Sequence, residues 1–250
     1  CPAQPPDPAP RPRPHARPQA GTPPAREVLA KYSRDKVNRS DDAVFYARPR
    51  LAESADDGYK ARLTALYAKY LKDGDRVLDL CASWQSFLPD EREVWLPYVE
   101  GCGMNADELQ MNTRLLSSFV KDFNGAGKVR MPLAPEYFDV VLNNAGLAYL
   151  ERPEEVYSEV HRILVPGGLA IITFSDRIIW EKAVAGWRNA DPVHRVDVAS
   201  AVLTVDSRFE LVERILKPTP RVRITTHRQL RELPQNCNTD PFYAVIARKL

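Results

Sequence analysis

The stretch from Phe138 to Phe174 constrains the fold most. Phe138-Asp139-Val140-Val141-Leu142 is a short apolar run of strand length. From Pro153 to Leu164, Val156, Val160, Ile163 and Leu164 recur at helical spacing, with Glu154, Glu155 and Glu159 on the polar side. Pro153 suits a first helical turn, the acids suit the amino end, and Pro166-Gly167-Gly168 is expected to end the helix. Leu169 to Phe174 is then continuously apolar, as in a parallel strand covered on both faces. Strand, helix and strand in this order predict a right-handed crossover and a mainly parallel sheet.

The same alternation extends in both directions. Upstream, Leu63, Leu66, Tyr67 and Tyr70 predict a helix over 59–71, stopped by Asp73-Gly74-Asp75. Strands follow at Arg76 to Leu80 and Tyr98 to Cys102, a helix at Ala106 to Leu115, and a third strand at Phe119 to Asp122 with an acid at its carboxyl end. Downstream, helices are expected near Ile178 to Trp187 and Pro192 to Val202, and strands at Phe209 to Leu216 and Phe242 to Arg248. The reading is one α/β domain around a single core.

Three segments stand apart from this pattern. Residues 1–26 are rich in Pro, Arg and Ala with a single acid, Asp7, and read as an extended or disordered arm; its alternative is an arm that orders along a protein partner. A start at Cys1 and not Met reads as a processed or trimmed product, and the basic, acid-poor arm suits material beside an organellar targeting peptide. Residues 27–55 read as a connecting arm, with one helical turn near Glu27 to Tyr32 and a break at Arg48-Pro49-Arg50. Residues 56–250 then form the domain, with 217–240 as a long basic insertion between the last two strands, a second surface for a protein partner.

Composition excludes several classes. No apolar run reaches the roughly 18–20 residues of a membrane span. The net charge of +2 gives no general case for nucleic-acid binding, so RNA recognition through Lys217 to Arg231, with Trp84 or Tyr149 stacking, is the least supported reading. Cys1, Cys81, Cys102 and Cys237 form no C-x-x-C pair, so no metal site is expected, and burial of Cys81 and Cys102 as small apolar residues is favoured over a bridge. His161, in the helix before Pro166, reads as a packing residue and not a general base.

Tyr137-Phe138-Asp139-Val140-Val141, Tyr149-Leu150, Pro153, Val156, Glu159, His161-Arg162-Ile163-Leu164 and Pro166-Gly167-Gly168 resemble the class I S-adenosylmethionine-dependent methyltransferases, specifically the type 11 methyltransferase domain. The resemblance runs from about Tyr59 to Leu250. It implies a Rossmann-like methyltransferase fold, a mostly parallel seven-stranded sheet with an antiparallel last strand, and S-adenosylmethionine as cofactor.

The family's cofactor positions map onto Asp79, Cys81, Ala82 and Ser83 after the first strand, Gly103, Met104 and Asn105 after the second, Asp122 after the third, and Asn143 and Asn144 at the end of the fourth. Two departures stand out. The glycine-rich turn is replaced by Cys81-Ala82-Ser83-Trp84-Gln85-Ser86-Phe87, and Gly103 stands where an acid normally accepts the ribose hydroxyls. Leu78 to Trp84, Gly101 to Asn105 and Asp240 to Val245 are similar to a divergent sub-group of plant and algal plastids and bacteria, which implies a chloroplast location, with mitochondrion and cytoplasm as alternatives. Two functional readings stay open: a methyltransferase of unknown acceptor, or a catalytically inactive subunit, a pseudoenzyme, within a larger organellar complex. The catalytic residues are not assigned by either.

Overall fold

The computed structural model describes residues 27–53, 55–218 and 239–250. Residues 1–26 and most of the 217–240 segment, the two surfaces expected to meet protein partners, lie outside the described residues.

Seven strands form one sheet: β1 (Arg76–Leu80), β2 (Tyr98–Gly103), β3 (Ser117–Val120), β4 (Phe138–Asn144), β5 (Leu164–Phe174), β6 (Phe209–Lys217) and β7 (Phe242–Lys249). Their spatial order is β3-β2-β1-β4-β5-β7-β6. The first five are parallel, and β7 runs antiparallel to both β5 and β6. This is the Rossmann-like arrangement expected, with its reversed last strand. Leu78 and Leu80 face one layer of the core, and Val77 faces the other with Val140 and Leu142. Both faces of the central strands are therefore covered, which is why these runs are apolar without interruption.

Helices close the two faces. They are α1 (Asp42–Phe45), α2 (Asp57–Tyr70), α3 (Ala106–Met111), α4 (Pro153–Ile163), α5 (Ala185–Arg188) and α6 (Pro192–Thr204). Tyr59, Leu63, Leu66 and Tyr67 form the buried stripe of α2, and Asp56 caps its amino end by accepting from Tyr59 N. Val156, Val160 and Ile163 form that of α4.

Five boundaries differ from the sequence expectation. The helix after β2 stops at Met111, because Asn112 turns the chain and its side chain bonds Ser83 O and Ser86 Oγ. The third strand covers Ser117–Val120 and ends before Asp122. Helix α4 ends at Ile163 with Leu164 already paired in β5, so Pro166-Gly167-Gly168 does not terminate it; Leu164 pairs Phe138 and Leu169 pairs Val140, leaving Val165 to Gly168 bulged opposite Asp139. The helix expected over Ile178 to Trp187 is reduced to α5. Its would-be backbone bonds are taken by distant partners: Asn38 N donates to Glu181 O, Ala185 N to Asp35 O and Val184 N to Ala148 O. The early helical turn lies at Lys31–Arg34, not Glu27 to Tyr32.

Candidate ligand cavity at the carboxyl ends of the strands

A cavity of about 460 Å³ opens at the carboxyl ends of β1 to β4. It lies where the strand order reverses between β1 and β4, the crevice in which open α/β sheets take their ligands. Its size suits one small molecule. Every residue expected at the cofactor positions lines it except Asn143. Asn143 is buried behind the wall, with Oδ1 accepting from Gly146 N at 2.9 Å.

The floor is the exit from β1. Cys81 adopts φ +62°, a left-handed conformation that favours glycine, and Ala145 at the exit from β4 does the same at φ +62°. The turn therefore keeps a backbone geometry suited to glycine while carrying a side chain. Space for that side chain comes from Gly146, where a Cβ would lie 2.5 Å from Cys81 Cβ. Cys81 is half-buried and Cys102 fully buried; neither is bridged, and burial pushes the Cys81 thiol up to about 12. Asp79, almost wholly buried, is raised to about 7 by desolvation, against the opposing effect of a hydrogen bond from Ser86.

Gly103 ends β2 beside that turn. A Cβ there would lie 2.3 Å from Ala82 O. Ala82 is fixed in this place because its N–H donates to Cys102 O at 2.8 Å. Gly103 and the glycine-free β1 exit are thus packed against each other: the Ala82 carbonyl occupies the volume that a side chain at position 103 would need. Asn105 is too fully engaged to replace a carboxylate there. Its Nδ2 donates to Tyr46 O and Ala47 O, and its Oδ1 accepts from Glu108 N as the cap of α3. Asp122 lines the wall, with one oxygen accepting from Asn124 N at 2.8 Å. Asn144 accepts from Tyr59 Oη at 2.7 Å and Thr173 Oγ1 at 3.2 Å. Met104 and Ser83 complete the expected set.

The roof was not expected. Asp42, Tyr46, Arg50, Ala52, Glu53 and Ala55, all from the connecting arm, line the cavity with Ile178 and Ile179. The aromatic pair Phe45-Tyr46 within a polar arm was the available sequence signal. The arm is held by a buried charge cluster: Asp42 receives Lys36 and Lys182, each at 2.7 Å, and Asn124 Nδ2 at 2.8 Å. Lys182 is fully buried and lies 4.7 Å over the Phe45 ring. Burial alone would raise the Asp42 carboxyl, but the bonds from Lys182, Lys36 and Asn124 hold it below its ordinary range. His161 is remote, packed on Phe209 with its imidazole pushed down to about 4 by burial, as a packing residue should be.

Residues 104–172 match the family model described as a methyltransferase domain. That span begins at the β2 exit and runs into β5, and it contains just over a third of the residues that line the cavity. This segment is thus similar to a methyltransferase domain, and it lies in a sheet with the strand order of the class I methyltransferase fold.

A ubiquinone/menaquinone biosynthesis C-methyltransferase of Neisseria gonorrhoeae is 27% identical over 119 residues, which cover 44% of this chain and 47% of that protein. The Neisseria meningitidis serogroup C protein of the same name is 28% identical over 115 residues, covering 42% and 45%. The methyltransferase domain thus matches less than half the length of these curated relatives. Among solved structures, an S-adenosylmethionine dependent methyltransferase from Mesorhizobium loti superposes with a TM-score of 0.52 at 18% identity, over 77% of this chain and 99% of that one. The [4+2]-cyclase SpnF gives the same TM-score at 16% identity, over 80% and 87%. Both likenesses concern the fold. Among the described residues no helix is long and apolar enough to cross a membrane, and no group of side chains is arranged to hold a metal.

Proposed function

We propose that this protein binds S-adenosylmethionine in the strand-end cavity and transfers its methyl group to a small, largely apolar acceptor held under residues 42–55. One observation carries the reading: at the switch point of a methyltransferase fold, Cys81 takes the left-handed conformation of the lost glycine and leaves an open cavity in front of it. The altered turn has changed its side chains without filling the site.

The residues fit such a cofactor. The backbone from Cys81 to Ser83 faces its amino-acid end, Asp79 offers a carboxylate below, and Asp122 keeps an oxygen for the adenine end. When bound, S-adenosylmethionine would supply an electrophilic methyl carbon on a sulfonium: the bond to the acceptor's nucleophilic atom forms as the C–S bond breaks, S-adenosylhomocysteine leaves, and the acceptor's proton goes to solvent. For their part, the side chains need only align and dehydrate the reactants, so proximity carries much of the rate. Tyr46, Phe87, Tyr149, Ile178 and Ile179 give the acceptor end its apolar and aromatic character. The names of the Neisseria relatives, C-methyltransferases of quinone biosynthesis, agree with an acceptor of that kind.

Isothermal titration with S-adenosylmethionine and S-adenosylhomocysteine tests the reading. Saturable binding of both is expected; no heat at millimolar ligand would sink it and leave the inactive-subunit reading in its place. A plastid location is supported by the resemblance of Leu78 to Trp84, Gly101 to Asn105 and Asp240 to Val245 and by the acid-poor arm, and a fluorescent fusion of the protein would test it.

A further inference from the structure

We infer that Glu108, from the first turn of α3, replaces the lost acid of β2 as the acceptor for the ribose diol of an adenosyl ligand; this rests on the cofactor reading above. Gly103 cannot regain a side chain, since a Cβ would lie 2.3 Å from Ala82 O and 3.1 Å from Leu109 Cδ2. The ribose position is therefore bare at the usual place. A nucleoside with two free hydroxyls needs an acceptor nearby, and a carboxylate is the group that can take both O–H donors.

Of the carboxylates that line the cavity, Asp42 is spent on Lys36 and Lys182, and Glu53 pairs Lys60. Asp79 lies below the β1 exit and Asp122 follows β3, so Glu108 is the one at the β2 exit. Asn105 is an uncharged amide with both hydrogens donated and one of its two acceptor positions used by Glu108 N, so it cannot take both hydroxyls. Glu100 is buried outside the cavity, accepting from Tyr98 Oη at 2.7 Å and Ser117 Oγ at 3.1 Å. Glu108 lines the cavity and is anchored from two sides. Its Oε2 accepts from Ser83 Oγ at 2.6 Å in the floor, and its Oε1 accepts from Arg50 N at 2.7 Å in the roof. Each oxygen has two acceptor positions, so two remain for a ligand. The anchors orient the carboxylate at the junction of the β1 exit and β2, beside Gly103. Lengthening the reach by moving the acid onto a helix is what a turn lacking glycine requires.

Titration of the full chain with S-adenosylhomocysteine and its 2′,3′-dideoxy analogue, in wild type and Glu108→Gln, tests this. Wild type should prefer the diol by about tenfold or more, the scale of one charge-assisted hydrogen bond. Glu108→Gln should lose that preference and bind both ligands near the dideoxy level, with an unchanged melting temperature. A variant that keeps the preference, or weakens both ligands equally, overturns the assignment. Wild type binding both equally overturns it while the cofactor reading stands; wild type binding neither overturns both.

Discussion

The β4–α4–β5 unit and the exits of β1 and β2 belong to one sheet but obey different constraints. In the first, Phe138, Val156, Val160 and Ile163 are fully buried, and their job is to fill volume between a helix and a sheet. Any apolar residue of similar size meets that need, so the pattern stays recognisable. In the second, Cys81, Ala82 and Gly103 are fitted backbone against backbone, and a change at one dictates the other. Packing tolerates drift one residue at a time, whereas a close backbone approach changes as a set.

The strongest test of that coupling is to restore the family's acid. Gly103→Asp should destabilise by at least about 3 kcal/mol in urea unfolding, because its Cβ meets a fixed carbonyl and its carboxylate is buried. A near-neutral result would break the claim that the two exits are packed against each other.

Next in size is the charge beneath the floor. Asp79 in the folded state holds its proton up to about pH 7, whereas the unfolded chain releases it near pH 4. Between those limits the folded protein binds more protons, so raising pH favours unfolding. Asp79→Asn should therefore raise stability by roughly 2–3 kcal/mol more at pH 8 than at pH 5, since the folded carboxyl keeps its proton across most of that interval while the unfolded one has released it. Thermal melts at the two pH values read this directly; an equal shift at both would place the cause elsewhere.

The smallest effect is expected at the turn itself. Cys81→Gly relieves a left-handed residue but removes a half-buried side chain, two contributions of opposite sign and similar size. The melting temperature should correspond to a change within about 1 kcal/mol. A large loss would make the thiol a structural member of the floor, and would weaken the contrast with Gly103.

The sequence made the sheet legible because its evidence is periodic and local. All seven strands were found, and the cavity-lining positions after β1, β2, β3 and β4 follow from knowing where those strands end. What sequence could not yield was anything set by a distant partner. Ile178 to Val184 has helical spacing, yet its backbone is bound by Asn38 and Ala148. The connecting arm reads as polar, yet Asp42 is buried because Lys36 and Lys182 converge on it from separate segments. Glu108 reads as an ordinary first-turn acid until Ser83 and Arg50 are seen on either side.

The roof over the cavity comes from chain that precedes the first strand. Residues 42–53 contribute no strand to the sheet, and they are tied down by the latch at Asp42 and by bonds between their backbone and Asn105 and Glu108. Substitutions there can alter what enters and what is turned away while every strand keeps its neighbours. In evolutionary terms, selectivity in this molecule is free to wander at the exposed positions 47–53, between a buried ion pair at Asp42 and a core contact at Ala55 that stay put.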